Sequence, residues 1–382
     1  MSTTSIELAD VIRKFGPDHA RLYGSKLMPS QKKCLQDIVQ CMTPTLGGCR
    51  YHCEDCGESF WRYHGCGNRS CPKCLGPKTE KWLEARRAEI LPCPYFHVIV
   101  TMPSELRSVA LRHQKIIYGL FVKVSADCVR ELAKDKRYVG GEVGIMAVLH
   151  TWNGQLLHHP HIHMLVTAGG IEAGGYWREP TGEFLVRVEA LSKMIRSRMS
   201  KELKKAHPEI HEKAPAKTWF REWCSYCKPF GEGNQAVLEY LGRYVFRVAI
   251  NNSRILEMDD THVKIRYKNH DTGEFFETRI PGVEFIRRFL LHVLPKGFHK
   301  VRYYGLWAPA KREKMAQARL LLQLKRHVMI EEYPLDAPEE SSSVSLEDVD
   351  DFQPAPCPCP NCGSKNTVLI EELKPVWRRT PA

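Results

Sequence analysis

Four histidines fall within six residues, His158-His159-Pro160-His161-Ile162-His163. They lie between two apolar runs, 143–152 (VGIMAVLHTW) and 164–168 (MLVTA). Runs of this composition, broken by Asn153-Gly154, predict two strands and a connection. His161 and His163 are two apart, so on a strand their side chains leave the same face. Two imidazoles on one face are half of a metal site. A surface histidine pair is the plainer reading, and a lone histidine would favour it. Four histidines set inside an apolar hairpin favour the metal.

Two further groups carry chemistry. Cys53-x-x-Cys56 and Cys71-x-x-Cys74 are two knuckles separated by fourteen residues, a spacing that suits a four-cysteine structural zinc ribbon. Cys49, His64 and Cys66 are surplus candidates that replace one of these ligands or help to hold a second ion. Between the knuckles, Phe60 and Trp61 suit a mini-core, and Arg62 and Arg69 suit phosphate contacts. In 235–248 (QAVLEYLGRYVFRV), Tyr240 and Tyr244 are four apart and share a face if the segment is helical. Arg243 and Arg247 repeat the step. A tyrosine pair at this spacing is commonly half-buried packing. Beside a metal that polarises a phosphate, however, a tyrosine hydroxyl can attack in line and conserve the bond energy as a phosphotyrosine. Two tyrosines one turn apart can then act in sequence.

The elements that must position these groups follow along the chain. Residues 1–45 read as a helical lead-in. The stretch 80–90 reads as an amphipathic helix, 95–101 (YFHVIVT) as a strand, and 104–134 as mainly helical. A short strand is expected at 183–188, a basic helical segment at 189–213 and a strand at 223–230. Cys224-x-x-Cys227 on that strand has no second knuckle and reads as packing. Segments 263–267 and 275–280 flank an Asp271-Thr272-Gly273 turn as a hairpin. Helices are expected at 285–294 and 311–329. Residues 331–356 are acidic, without Lys or Arg, and read as a linker. Cys357, Cys359 and Cys362 then supply a single knuckle, which is incomplete or borrows a ligand.

Composition limits the alternatives. The chain of 382 residues carries fifteen Cys, an odd number rich in close pairs, which argues for zinc in a reducing compartment rather than a disulfide framework. No apolar run reaches membrane-spanning length and the N-terminal segment has no signal pattern, so a cytoplasmic protein without a membrane partner is expected. Net charge is +12, but 331–382 hold four Lys/Arg against eleven Asp/Glu, leaving 52 against 33, a net of +19, for residues 1–330. So basic a body suggests a polyanion, most simply nucleic acid.

Over roughly residues 30–310 the sequence resembles the rolling-circle insertion-sequence transposases of the two-tyrosine, IS91 type, within the HUH endonuclease superfamily. The segments that carry the resemblance are SCPKC at 70–74, PYFHVIVTMPSEL at 94–106, AVLHTWNGQLLHHPHIHMLV at 147–166, EYLGRYVFRVAINNSRI at 239–255 and FIRRFLLHVLPKGFHKVRYYGL at 285–306. The resemblance implies an α+β fold: an antiparallel sheet with packed helices, HUH endonuclease-like, plus an N-terminal zinc-ribbon domain. It implies that His161 and His163 bind Mg2+ or Mn2+, that Tyr240 and Tyr244 are paired nucleophiles, and that Cys53, Cys56, Cys71 and Cys74 bind Zn2+. His150, expected on the neighbouring strand, is the candidate third metal ligand, with His97 and His159 as alternatives. Mg2+ prefers oxygen ligands, so the imidazoles tilt physical preference toward Mn2+ or Zn2+. The implied activity is cleavage and rejoining of single-stranded DNA at mobile-element ends and target through a 5′-phosphotyrosine, in a bacterial cytoplasm at the nucleoid. Arg62, Arg69, Arg243 and Arg247 are the candidate DNA contacts. The expected division is a lead-in at 1–45, a zinc-binding domain at 46–92, a catalytic domain at 93–310, a basic helix at 311–330, and an acidic linker with a Cys-rich tail at 331–382. Two rivals stand beside this reading. One is a metal-dependent hydrolase with activated water and no covalent intermediate; the other is a zinc-ribbon DNA-binding regulator. The sequence does not indicate the oligomeric state.

Overall fold

A computed structural model describes residues 6–74, 90–182, 185–232, 237, 239–245, 247–269, 272–332 and 358–376. Two helices lead, α1 (Leu8–Tyr23) and α2 (Pro29–Gln40), followed by the hairpin β1 (Gly48–Cys53) and β2 (Ser59–Tyr63). Leu8, Val11, Ile12 and Phe15 recur at helical steps on α1 and are buried, which makes α1 amphipathic. After β3 (Pro94–Thr101) come α3 (Ser104–Arg112) and α4 (Gln114–Ala133), then β4 (Gly144–Trp152) and β5 (His158–Thr167). A two-stranded ribbon, β6 (Gly170–Ile171) and β7 (Trp177–Arg178), precedes α5 (Val188–Ala206) and β8 (Cys224–Glu232). The second half holds β9 (Ile255–Met258), β10 (His262–Lys268), β11 (Phe275–Pro281), α6 (Gly282–Leu290), β12 (Val301–Gly305), α7 (Arg312–Glu332) and β13 (Thr367–Leu373).

The central sheet has the order β12-β4-β5-β3-β8, and every pairing in it is antiparallel. Its inner strands β4, β5 and β3 are largely buried on both faces, so both are covered. Val98, Val100, Ile145, Ala147, Leu149, Ile162 and Met164 pack with residues of α3, α4 and α5. The alternate residues Tyr95, Met146, Val148 and Leu165 pack with Val237, Tyr240 and Val245 and with Met315, Ala318 and Leu322 of α7. His97, His150, His161 and His163 are on this second face, in the period-two register that strands impose. The expected α+β class with an antiparallel sheet and packed helices is what the chain forms.

A third core draws on α1, α2, Cys66, Cys71 and Cys74, residues 249–265 and α6. Packing therefore runs across the borders expected at 45 and 92. The C-terminal tail also joins the N-terminal hairpin, because β13 pairs with β1 in a sheet of order β13-β1-β2. The strand expected at 183–188 does not form where it is described. Leu185 and Val186 instead plug the core singly, and α5 begins at Val188. The helix expected at 80–90, most of the acidic linker and Cys357 lie outside the described residues.

Candidate functional site

His161 and His163 leave the same face of β5, and His150 stands directly opposite His161 in the β4–β5 ladder. The ligand atoms of these three rings all lie within 4.8 Å of one another. In each ring one nitrogen is held by the surrounding protein. His150 Nε2 meets the Tyr244 carbonyl at 2.7 Å, His161 Nδ1 meets the His159 carbonyl at 2.8 Å, and His163 Nδ1 meets His97 Nε2 at 2.9 Å. Such contacts fix the orientation and tautomer of a metal-ligating imidazole. Burial, reinforced by Lys300, pushes His150 well below the ordinary histidine range. Burial, reinforced by His150 and His161, does the same to His163. Both are then neutral, as a ligand must be. His97 is not in the trio: it backs His163 and lies against Tyr244, with ring centroids 4.8 Å apart. His159 turns to Arg107 instead, at 2.8 Å.

Tyr244 sits on a turn whose backbone is π-helical over Leu241–Val245, and Tyr240 directly precedes it. This rare geometry recurs at functional sites. Tyr244 stacks on His163 with centroids 4.1 Å apart, and Tyr240 lies beside Tyr244 at 5.1 Å. Their hydroxyls differ. Tyr240 is fully buried and donates to the His163 carbonyl at 2.8 Å. Tyr244 is half-buried and takes a side-chain hydrogen bond from Arg243. Burial raises both phenols above their usual range, while Arg243 and Arg247 partly offset this for Tyr244.

The knuckle cysteines do not form one cluster. Cys71 and Cys74 group with Cys41 and Cys66, whereas Cys53 and Cys56 group with Cys359 and Cys362. The hairpin is the reason. Cys53 and Cys56 lie at its turn, between β1 and β2. Cys66 follows the far end of β2, where the His64 N–H donates to the Gly47 carbonyl at 2.9 Å. Strands of this length hold their two ends roughly 15 Å apart. His64 is exposed and Cys49 half-buried, and neither belongs to a cluster.

The chain is also similar to known proteins. Residues 144–315 match a family described as putative transposase, and residues 11–102 match the transposase zinc-binding domain. A putative transposase, y4qJ, of Sinorhizobium fredii is 37% identical over 341 residues, covering 84% of this chain and 85% of the relative. The transposase for insertion sequence element IS801 of Pseudomonas savastanoi pv. phaseolicola is 25% identical over 291 residues, covering 71% and 68%. The chain belongs to the IS91-type transposase family. Members of this transposase family are DNA-processing enzymes, and binding to DNA follows from membership. No solved structure matches the chain. Among the described residues, no helix is long and apolar enough to cross a membrane.

The cysteines of this transposase fit the zinc that its family domain is named for. Cys41 lies 3.3 Å from Cys74 and 3.5 Å from Cys71, and Cys66 lies 3.6 Å from Cys74, sulfur to sulfur. A disulfide would be about 2 Å long. Four thiolates about 2.3 Å from a tetrahedral zinc stand about 3.8 Å apart. The N–H groups of Cys66 and Gly67 point at sulfurs, at 3.4 and 3.3 Å. Sequence reasoning missed Cys41, which has no near cysteine partner to signal it. It follows α2 directly, and that helix carries it to the cluster.

The candidate arginines divide. Arg69 gives its guanidinium to the carbonyls of Leu294, Pro295 and Phe298, at 2.6–2.9 Å, which ties the cysteine module to the segment before β12. Arg62 donates to the Pro358 carbonyl at 3.1 Å, and Arg243 pairs with Glu239. Arg247 is exposed and lines a cavity of about 300 Å³ with Arg69, Val245, His299 and Lys300. Lys300, overlooked at the sequence level, donates to the Arg247 carbonyl at 2.8 Å and lies over the Trp152 ring. Burial, then Arg69 and Arg247, pushes its ammonium down to about 7.

Proposed function

We propose that this transposase cleaves and rejoins single-stranded DNA at the ends of its element through a 5′-phosphotyrosine, with Tyr244 as the first nucleophile. The observation that carries the reading is Tyr244 stacked on His163, one of three histidines whose ligand atoms converge within 4.8 Å. His150, His161 and His163 would hold a divalent cation, which would supply Lewis-acid chemistry by drawing charge off a phosphate oxygen. Three nitrogen donors suit Mn2+ better than Mg2+. Arg243, bonded to the Tyr244 hydroxyl, favours the phenolate. The Tyr244 oxygen forms a bond to phosphorus as the bond to the 3′ oxygen breaks. The phenol proton is lost and the leaving 3′-hydroxyl gains one, so the step is reversible and rejoining needs no other energy source. The basic cavity beside Val245 supports a single strand entering along Arg247 and His299. Tyr240 keeps its hydroxyl on the His163 carbonyl and acts second, after the turn rearranges.

The test is covalent trapping. Purified protein with Mn2+ is incubated with labelled single-stranded DNA from the element ends and run on a denaturing gel. A slow, protease-sensitive band that vanishes in Tyr244→Phe is the expected result. Cleavage that persists unchanged in Tyr240→Phe/Tyr244→Phe, with no such band, overturns it in favour of water as nucleophile. Binding without cleavage points to a regulator.

A further inference from the structure

Cys359 and Cys362 lie beyond both stretches that match the family, 11–102 and 144–315. They nevertheless complete a cluster with Cys53 and Cys56. Cys53 lies 3.6 Å from Cys362, and Cys56 lies 3.6 Å from Cys359, sulfur to sulfur. These separations are too long for disulfides and close to the edge of a zinc–thiolate tetrahedron, about 3.8 Å. The two knuckles are built alike. In the first, Cys53 N–H donates to the Glu58 carbonyl and Gly57 N–H to the Cys53 carbonyl, both at 2.8 Å. In the second, Cys359 N–H donates to the Ser364 carbonyl and Gly363 N–H to the Cys359 carbonyl, again at 2.8 Å. Gly57 and Gly363 both take the left-handed conformation, at φ +74° and +76°, which a side chain would resist. Two equivalent knuckles facing each other are the two halves of one four-cysteine site.

Something other than burial must hold the tail there. On β13 the side chains of Val368, Leu369 and Ile370 are 44–51% exposed, so little apolar area secures the strand. Its other ties include the ladder to β1, an Arg50–Glu371 ion pair at 3.6 Å, the bonds from Ser364 and Asn366 to Asp55, the Arg62 bond to the Pro358 carbonyl, and backbone bonds from Glu54 to Asn366 and from Val376 to Thr45. Exposed ion pairs and short ladders contribute little on their own. Cys359, by contrast, is only 2% exposed and points into the cluster.

We propose a second zinc site, formed by Cys53, Cys56, Cys359 and Cys362, that fastens the C-terminal strand to the N-terminal hairpin. It is independent of the site at Cys41, Cys66, Cys71 and Cys74, and of the histidine trio. The test compares full-length wild type with Cys359→Ser/Cys362→Ser, Cys53→Ser/Cys56→Ser and Cys41→Ser/Cys71→Ser. Metal content is measured by elemental analysis and amide exchange by mass spectrometry. Each of the first two variants is expected to hold one zinc fewer per chain than wild type. The amides of Thr367–Leu373 should lose protection in both, while those of the central sheet keep theirs. Combining the first two variants should remove no further zinc, because the pairs serve one ion. Either zinc content equal to wild type in Cys359→Ser/Cys362→Ser, or a second equivalent lost on combination, overturns the proposal. The Cys41→Ser/Cys71→Ser chain should lose a different equivalent and keep the tail strand protected; exposure of the tail there also overturns it.

Discussion

Tyr240 and Tyr244 are neighbours whose hydroxyls are held differently. Tyr244→Phe should lower covalent adduct formation at least 10³-fold by removing the attacking oxygen. Tyr240→Phe should spare the first cleavage and impair rejoining, measured on a two-site oligonucleotide. Losing its bond to the His163 carbonyl should also cost about 1 kcal/mol in denaturant unfolding. A second prediction concerns His292, which accepts from Thr151 and donates to the Leu156 carbonyl. Burial pushes its pKa down to about 4, although the Leu156 bond opposes this. The unfolded chain binds the proton near pH 6.5 and the folded chain only near pH 4, so acid favours unfolding. Stability should fall by up to about 1.4 kcal/mol per pH unit across that window, and His292→Gln should flatten the slope in urea titrations. The histidine pair was legible because period two leaves no choice of face. His150 was legible only as a neighbour, since register is not written in either strand alone. The commitment of the Tyr240 hydroxyl was not legible, because it depends on a carbonyl from β5.

Elements repeat this division between local and distant information. The strands flanking the histidines, the hairpin of β10 and β11, and helices α1, α4 and α7 announce themselves through their own periodicity. The failures came where a segment is shaped by what it meets. Leu185 and Val186 are apolar and β-prone, yet a ready-made core took them as plugs. The two cysteine knuckles are neighbours in sequence, yet the rigid hairpin between them aims them apart. Gly305 shows how tightly such junctions are set. It has φ +59°, and a Cβ there would lie 1.8 Å from the Val143 carbonyl oxygen, where β12 leaves β4 for α7. That oxygen is backbone and cannot swing away. Gly305→Ala should therefore destabilise the fold by at least about 1–3 kcal/mol in thermal unfolding, loosening the edge that carries Lys300.

Across the whole molecule, charge was the most legible property and connectivity the least. A body of net +19 predicts DNA affinity that falls steeply with salt. Arg247→Ala should reduce the slope of log affinity against log salt by about 0.7 for a single strand, one phosphate contact, whereas Arg69→Ala should chiefly lower stability by stranding three carbonyls. Nothing local in the sequence tells that the lead-in helices share a core with residues 249–293, or that the tail returns to the start. That return has a consequence for the order of synthesis. Cys53 and Cys362 are 309 positions apart, so β1 emerges from the ribosome long before its second neighbour exists. Until β13 arrives, β1 is an open edge with two unmatched thiolates beside it, the kind of edge that recruits foreign strands. A message broken before the codon for Cys359 leaves that edge open for good, so a clipped copy of this transposase should be prone to aggregation even with its histidines and tyrosines intact.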